Sequence, residues 1–274
     1  MKLATVVVTY HPDIPTTIQN ILSYTQHSEL LIIWNNSSFN IEDWKVFANS
    51  RQTIICGNGE NIGLGAAYNK AITLAEEHDC THLMTMDQDS QFENFSHYKK
   101  QIETFNDPRV GIFTCPINND ISKAGYRSAT VCQSGSIYTL KMLKEIGGFQ
   151  EDFFIGMVDA EMSLRALENG YKIYQFTESN LIQHIGSGRT VQFLGKKITV
   201  SDYSPLRHYY DSRNRILMWN EFSNDFDTKH KLQHFWSRAK LIIKILLFEN
   251  QKREKILAII RGTFNGILNR TKPF

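Results

Sequence analysis

The 274-residue sequence has only four cysteines, Cys56, Cys80, Cys115 and Cys132, and no two of them form a C-x-x-C pair. That scarcity argues against a zinc centre and against a dense disulfide framework, and fits reduced thiols in a cytoplasmic protein. Long hydrophobic runs are missing too. The apolar stretch "LIIKILLF" at 241–248 falls far short of the roughly 18 residues that a membrane-spanning helix needs. The opening "MKLATVVVTYHPD" carries one Lys and a short β-branched run, and reads as a first strand, not a signal peptide. The formal net charge is only +2, so nothing marks the chain as a nucleic-acid binder. Internal repeats and low-complexity segments are absent.

What is present is ordinary for a soluble globular protein: 42% hydrophobic and 21% charged residues, in a chain long enough to bury a full core. The length points to one large domain, or to one domain plus an appendage. The charge is unevenly placed. From Arg238 to Phe274 there are nine Lys or Arg against two Glu, a net of +7, which leaves residues 1–237 acidic.

Four segments, "LATVVVT" (3–9), "ELLIIWNNSS", "RQTIICGNGENIG" and "THLMTM", each read as a strand running into a polar turn. Leu64, Ala67, Tyr68, Ala71, Leu74 and Ala75 recur at helical spacing. This alternation predicts an α/β fold with a mostly parallel central sheet flanked by helices. In the second half, "SGSIYTLKMLKEIGGF" holds a short strand and a helix. "DAEMSLRALENGYKIY" predicts a helix from about Ala160 to Asn169, stopped by Gly170, and then a strand. After residue 200 the pattern is helical.

Open sheets of this kind bind ligands beyond the carboxyl ends of their strands. Those ends carry Thr9 and Tyr10, Asn35 and Asn36, Asn61 and Gly63, and Asp87 and Asp89. In extended chain Asp87 and Asp89 share a side, with Cα atoms roughly 6 to 7 Å apart, so their carboxylates repel. Either water solvates them in a turn or a cation lies beside them. A Gly-rich stretch, "GNGENIG" at 57–63, resembles a dinucleotide fingerprint, but its spacing is G-x-G-x-x-x-G and it lies on the third strand unit. No acid is placed after a second strand to meet a ribose, so NAD(P) binding is rejected.

Seven ordered segments, "VVVTYH", "WNNSS", "NIGLGAAYN", "MDQDS", "QSGSIY", "IGGFQEDFFIGMVDAEMSLRALENGYKI" and "HIGSG", resemble the family 2 glycosyltransferases, most closely their bacterial rhamnosyltransferase branch. The resemblance covers about residues 4–190. It implies a GT-A fold at 1–200, with a nucleotide-binding half at 1–95 and an acceptor half at 96–200, followed by a helical, basic extension at 201–274. It further implies an enzyme that inverts configuration while moving a sugar, here L-rhamnose from dTDP-rhamnose, to a lipid-linked or polysaccharide acceptor in bacterial surface glycan synthesis. The alternatives are transfer of another sugar from a UDP- or dTDP-donor, or a noncatalytic subunit that binds a sugar nucleotide.

By the same resemblance a Mg²⁺ or Mn²⁺ ion is expected on Asp89, with Asp87 nearer the ribose or a metal-bound water and His184 completing the site. Asp159 is the expected proton acceptor and Glu161 the second choice. The bland readings are that Asp159 caps its helix, that Glu161 pairs with Arg165 at i, i+4 on the surface, and that His184 is structural. Thr9, Tyr10, Asn35, Asn36, Asn61, Gly63, Asn69, Ser134, Gly135 and Arg213 are the expected donor contacts. Two departures stand out: Asn35 occupies a position that is commonly Asp in the family, and Gly156 one that is often acidic. In the tail, Arg207, Arg213 and Arg215 are candidates to reach a diphosphate. Arg238 to Arg261 predicts amphipathic helices, with Leu241, Ile245 and Phe248 on one face, able to lie on an anionic membrane or to pack on the catalytic domain.

Overall fold

The computed structural model describes residues 1–47, 52–120, 124–128, 130–183, 188–193, 195–223, 228–271 and 274. Its contacts divide into two units, Met1–Phe154 with Val158–His184, and Ile155–Met157 with Ile185–Phe274.

The first unit runs β1 (Leu3–Thr9), α1 (Ile14–Leu22), β2 (Leu30–Asn35), β3 (Gln52–Cys56), α2 (Leu64–Glu77), β4 (His82–Asp87), β5 (Ser90–Phe92) and α3 (Phe95–Thr104). It continues through β6 (Val110–Thr114), β7 (Gly125–Arg127), β8 (Ser136–Thr139), α4 (Leu140–Glu145), α5 (Val158–Glu168), β9 (Lys172–Gln175) and β10 (Leu181–Gln183). Helix starts follow local chemistry. Asp13 caps α1 by accepting from Thr16 N, and Thr139 caps α4 by accepting from Met142 N. All seven residues of β1 are buried, as a strand covered on both faces requires.

Eight strands form one sheet in the order β3-β2-β1-β4-β8-β6-β9-β7. β3, β2, β1 and β4 are parallel, while β8 runs antiparallel between β4 and β6. From β1 the chain moves outward to β2 and β3, then crosses to the opposite side of β1 to lay down β4. The strand order therefore reverses between β1 and β4, and sheets of this type bind ligands at such a reversal. The register keeps the strand ends level, with Val8 opposite Asp87 and Thr9 opposite Asn35. On one side of the sheet an aromatic cluster packs Phe92 against Phe95, with ring centroids 4.8 Å apart. β5 and β10, three residues each, pair antiparallel, setting Gln183 opposite Ser90. Strands that short carry no readable period, so the sequence did not signal them.

The second unit contains β11 (Arg189–Phe193) and β12 (Lys196–Val200), which form a hairpin, and α6 (Pro205–Glu221), α7 (Thr228–Phe248) and α8 (Lys252–Ile267). α6 and α8 approach through glycines. A Cβ on Gly262 would lie 2.3 Å from Tyr209 O, and one on Gly266 2.8 Å from Arg213 O. Lys255 is buried in this unit and pairs with Glu249 Oε2 at 2.8 Å and with Asp202. No helix among the described residues is long and apolar enough to cross a membrane.

Candidate functional site

The D-x-D turn lies at the strand reversal, and its middle residue fixes it there. Gln88 exchanges two hydrogen bonds with the backbone of Tyr10, accepting from Tyr10 N at 2.7 Å and donating to Tyr10 O at 3.2 Å. Its own carbonyl accepts from Asn20 Nδ2 at 2.9 Å. The end of β4 is thereby tied to the end of β1. Asp87 is oriented by two further glutamines. Gln133 Nε2 donates to Oδ1 at 3.3 Å and Gln183 Nε2 donates to Oδ2 at 2.7 Å, while Asp87 N donates to Ser134 Oγ at 3.1 Å. Ser134 is itself buried and donates to Ser90 Oγ at 2.9 Å. Asp89 receives a 3.5 Å contact from Ser90 Oγ. Gly135, at φ +78°, donates its N–H to Thr85 O and so knits the 132–136 loop to β4.

A third carboxylate reaches the same patch from α5. Asp159 lies in the first turn of that helix, where its Oδ1 accepts from Ala160 N at 2.9 Å. The helix begins two residues earlier than the spacing predicts, which places Asp159 inside the first turn and not at the cap. Two neutral groups record the convergence. Burial, then the negative charges of Asp159 and Asp87 and, more weakly, Asp89, push the Cys132 thiol up to about 12. Burial, with Asp87 and Asp159 among the adjoining groups, likewise holds the Tyr68 hydroxyl far above its ordinary range. Both shifts share a cause, since a carboxylate nearby disfavours a further negative charge on the thiol or the hydroxyl.

The other polar strand ends support this patch from within the sheet. Thr9 Oγ1 donates to Asn35 Oδ1 at 3.0 Å, and Asn35 Nδ2 donates to Cys56 O at 3.0 Å, so one buried amide links three strand ends. An Asp there would have no proton for Cys56 O, which accounts for Asn at this position. Asn36 Oδ1 accepts from Trp34 Nε1 and Ile62 N, while its Nδ2 donates to Gly63 O at 3.3 Å. Asn61 Oδ1 accepts from Gly63 N at 3.0 Å. Gly63 opens α2 at φ +84°, and a Cβ there would meet Phe154 Cδ2 at 2.7 Å, so this turn admits only glycine. Tyr10, just beyond the carboxyl end of the central strand β1, is exposed.

Three sequence candidates have their polar atoms engaged elsewhere. Asn69 donates to Phe149 O and Glu151 Oε1 and accepts from Phe149 N at 2.7 Å, stapling the turn ahead of α5 instead of facing a donor. Glu161 is fully buried. Its Oε1 accepts from Arg165 Nε and its Oε2 from Nη2 at 3.0 Å, so the expected surface pair is an internal one that occupies the carboxylate. Arg213 is fully buried in the helical unit, where it donates to Asn214 Oδ1 and Thr271 O and stacks on Tyr210. That is a packing role in place of the diphosphate contact its position in the sequence suggested. His184 lies outside the described residues. Gln88, Gln133 and Gln183 were missed. Only Gln88 had a signal, as the residue between two acids that must point the opposite way along an extended chain.

The donor set suits Mg²⁺ or Mn²⁺. Among the described residues no group of three or more His, Cys, Asp or Glu is placed to hold a metal ion, so protein side chains alone do not complete a site. Mg²⁺ is commonly held by one or two carboxylates together with phosphate oxygens of the substrate, which is what Asp87 and Asp89 offer.

No model of a known protein family matches the chain. It is 24% identical over 238 residues to the dTDP-rhamnosyl transferase RfbF of Shigella flexneri, covering 78% of each chain. It is 26% identical over 183 residues to the O-antigen chain rhamnosyltransferase WbaN of Salmonella anatum, covering 57% of this chain and 56% of that one. In fold it is similar to the mannosyltransferase PcManGT of Pyrobaculum calidifontis, solved with GDP-Man and Mn²⁺, with a TM-score of 0.65 at 12% identity over 98% of this chain and 87% of that one. A mainly parallel sheet that reverses at an acidic turn, together with these likenesses, makes the chain a GT-A-fold glycosyltransferase resembling the bacterial rhamnosyltransferases.

Proposed function

We propose that the protein is an inverting, metal-dependent transferase that moves L-rhamnose from dTDP-rhamnose to a saccharide acceptor in bacterial surface glycan synthesis. The observation that carries the proposal is the acidic turn of Asp87 and Asp89 at the reversal of strand order, with the Asp159 end of α5 tied to the adjoining loop through Ser163, whose Oγ accepts from Val131 N at 3.2 Å and donates to Asp159 O at 2.7 Å. The names of the two rhamnosyltransferase relatives support the choice of sugar, and that of the Shigella flexneri relative supports the dTDP donor. In this reading Asp159 accepts the proton of the acceptor hydroxyl as its oxygen bonds to the anomeric carbon. The bond from that carbon to the diphosphate breaks on the opposite face, and configuration inverts. A divalent ion, when bound, neutralises charge gathering on the departing diphosphate. Asp89 would hold it, with Asp87 kept in register by Gln133 and Gln183.

Asp89→Ala is expected to abolish the Mg²⁺-dependent part of the thermal stabilisation by dTDP while leaving the melting temperature of the unliganded protein within about 2 °C of wild type. Wild-type, metal-dependent stabilisation in that variant would remove Asp89 from the metal site.

A lipid-linked acceptor would bring the enzyme to a membrane surface, and the helical unit carries a face suited to that. The face expected to be apolar contains Ile245, which is fully buried. The opposite side of α7 exposes Leu232, Phe235, Trp236, Ile243, Leu246 and Leu247, each at 48–64%, at helical spacing. α8 adds exposed Leu257, Ile260, Phe264 and Ile267, and exposed Lys240, Lys252, Arg253 and Arg261 accompany these stripes. Apolar residues accompanied by cations match an anionic lipid interface. Phe235→Ser with Trp236→Ser in the full chain should weaken cosedimentation with phosphatidylglycerol-containing vesicles at least about tenfold. Unchanged cosedimentation would exclude α7 as the membrane contact.

A further inference from the structure

A polar cavity of about 280 Å³ lies wholly within the helical unit, lined by Tyr203, by His208, Asp211 and Arg215 of α6, and by Ser237 and Arg238 of α7. The three α6 residues fall at i, i+3 and i+7 and so share one helix face. Arg215 Nη2 donates to Asp211 Oδ1 at 3.3 Å, and Arg238 donates to Asp211 Oδ2 from α7. Two guanidiniums meeting one carboxylate leave this wall with an excess positive charge.

Two of the residues that line the cavity carry buried donors that the protein itself does not satisfy. His208 is 2% exposed, yet its Nε2 has no hydrogen-bond partner, and Arg215 Nε has none either. The neighbouring carboxylate, Glu249, stands 3.9 Å from His208 Nε2, beyond hydrogen-bond reach, and is paired with Lys255 at 2.8 Å. Burial lowers the His208 pKa against the opposing pull of Glu249, so the ring is neutral near pH 7 and offers an N–H in one tautomer. Buried donors without acceptors are costly to a fold, which makes such a cavity a place where a ligand supplies the acceptors.

We propose that this cavity binds a phosphate or diphosphate group, with Arg215 Nε, the Arg238 guanidinium and His208 Nε2 donating to its oxygens and Ser237 at the rim. Guanidiniums match the geometry of such oxyanions, and the volume corresponds to roughly nine water molecules, room for two linked phosphoryl groups. On α7 the exposed Phe235 and Trp236 precede Ser237 and Arg238 directly. The oxyanion thus belongs either to a lipid headgroup or to a soluble molecule. The inference does not rest on the sugar-transfer reading.

The test uses the full chain in two arms: calorimetric titration with inorganic pyrophosphate in EDTA, and flotation with phosphatidylcholine vesicles containing phosphatidic acid, against phosphatidylglycerol at equal charge. Arg215→Gln removes a donor, and Ser237→Asp puts a negative charge at an exposed rim position where folding is not at stake. Each is expected to weaken oxyanion binding about tenfold or more, and Ser237→Asp is expected to leave Mg²⁺-dependent dTDP binding at the wild-type level. Loss in both arms supports the shared phosphate chemistry. Loss in the vesicle arm alone assigns a lipid headgroup, and loss in the pyrophosphate arm alone assigns a soluble anion. Absence of binding in both arms, or binding that neither variant changes, overturns the proposal.

Discussion

Asp159→Asn is expected to lower kcat for sugar transfer by about 10²- to 10⁴-fold, the range over which a positioned proton acceptor contributes, while dTDP binding with Mg²⁺ is retained. The substitution is nearly isosteric, and the amide oxygen still accepts from Ala160 N, so the first turn of α5 keeps its contact. What the amide lacks is the ability to take a proton. A carboxylate serving only the helix end would behave differently, because losing its charge beside the helix dipole costs about 0.3–1 kcal/mol of stability and leaves turnover intact. The two roles thus separate in a single variant, read by initial rates at saturating donor and by thermal denaturation. Transfer within about threefold of wild type, with stability slightly lowered, would return Asp159 to a purely structural role.

The parallel part of the sheet was legible because each strand is a continuous apolar run ending in a polar turn, and burial on both faces demands that composition. The acids at the end of β4 were legible for the same reason, since a strand end is where such sheets present ligand groups. The groups that orient those acids were not. Gln133 and Gln183 lie 46 and 96 residues from Asp87 along the chain, and an amide carries no period or charge that announces a partner so distant. Glu161 and Arg165 illustrate a different limit. Their i, i+4 spacing is visible, but whether solvent reaches the pair depends on the turn at 146–148, which closes over it. In α7 the hydrophobic residues wrap most of the helix, so spacing alone did not distinguish the buried face around Ile245 from the exposed one.

Arg165→Met is expected to destabilise the first unit by about 3–5 kcal/mol, because it strands the fully buried Glu161 without its cation. For a unit of this size that loss lowers the melting temperature on the order of 10 °C. The ion pair is not the whole effect. Arg165 also donates to Ile146 O and, at 2.6 Å, to Gly148 O, so the same side chain closes the turn that Asn69 staples from the other side. An apolar double replacement, Glu161→Leu with Arg165→Met, should therefore recover only part of the loss. It removes the stranded charge but leaves two carbonyls without their donor, at about 1–3 kcal/mol each where water cannot replace it. Glu161→Gln completes the comparison. Its amide can still accept from Arg165, and because Glu161 is sealed from solvent and held bidentate, the folded variant should turn over at close to the wild-type rate. A melting temperature near wild type combined with a collapse in kcat would instead make Glu161 the proton acceptor and Asp159 its support.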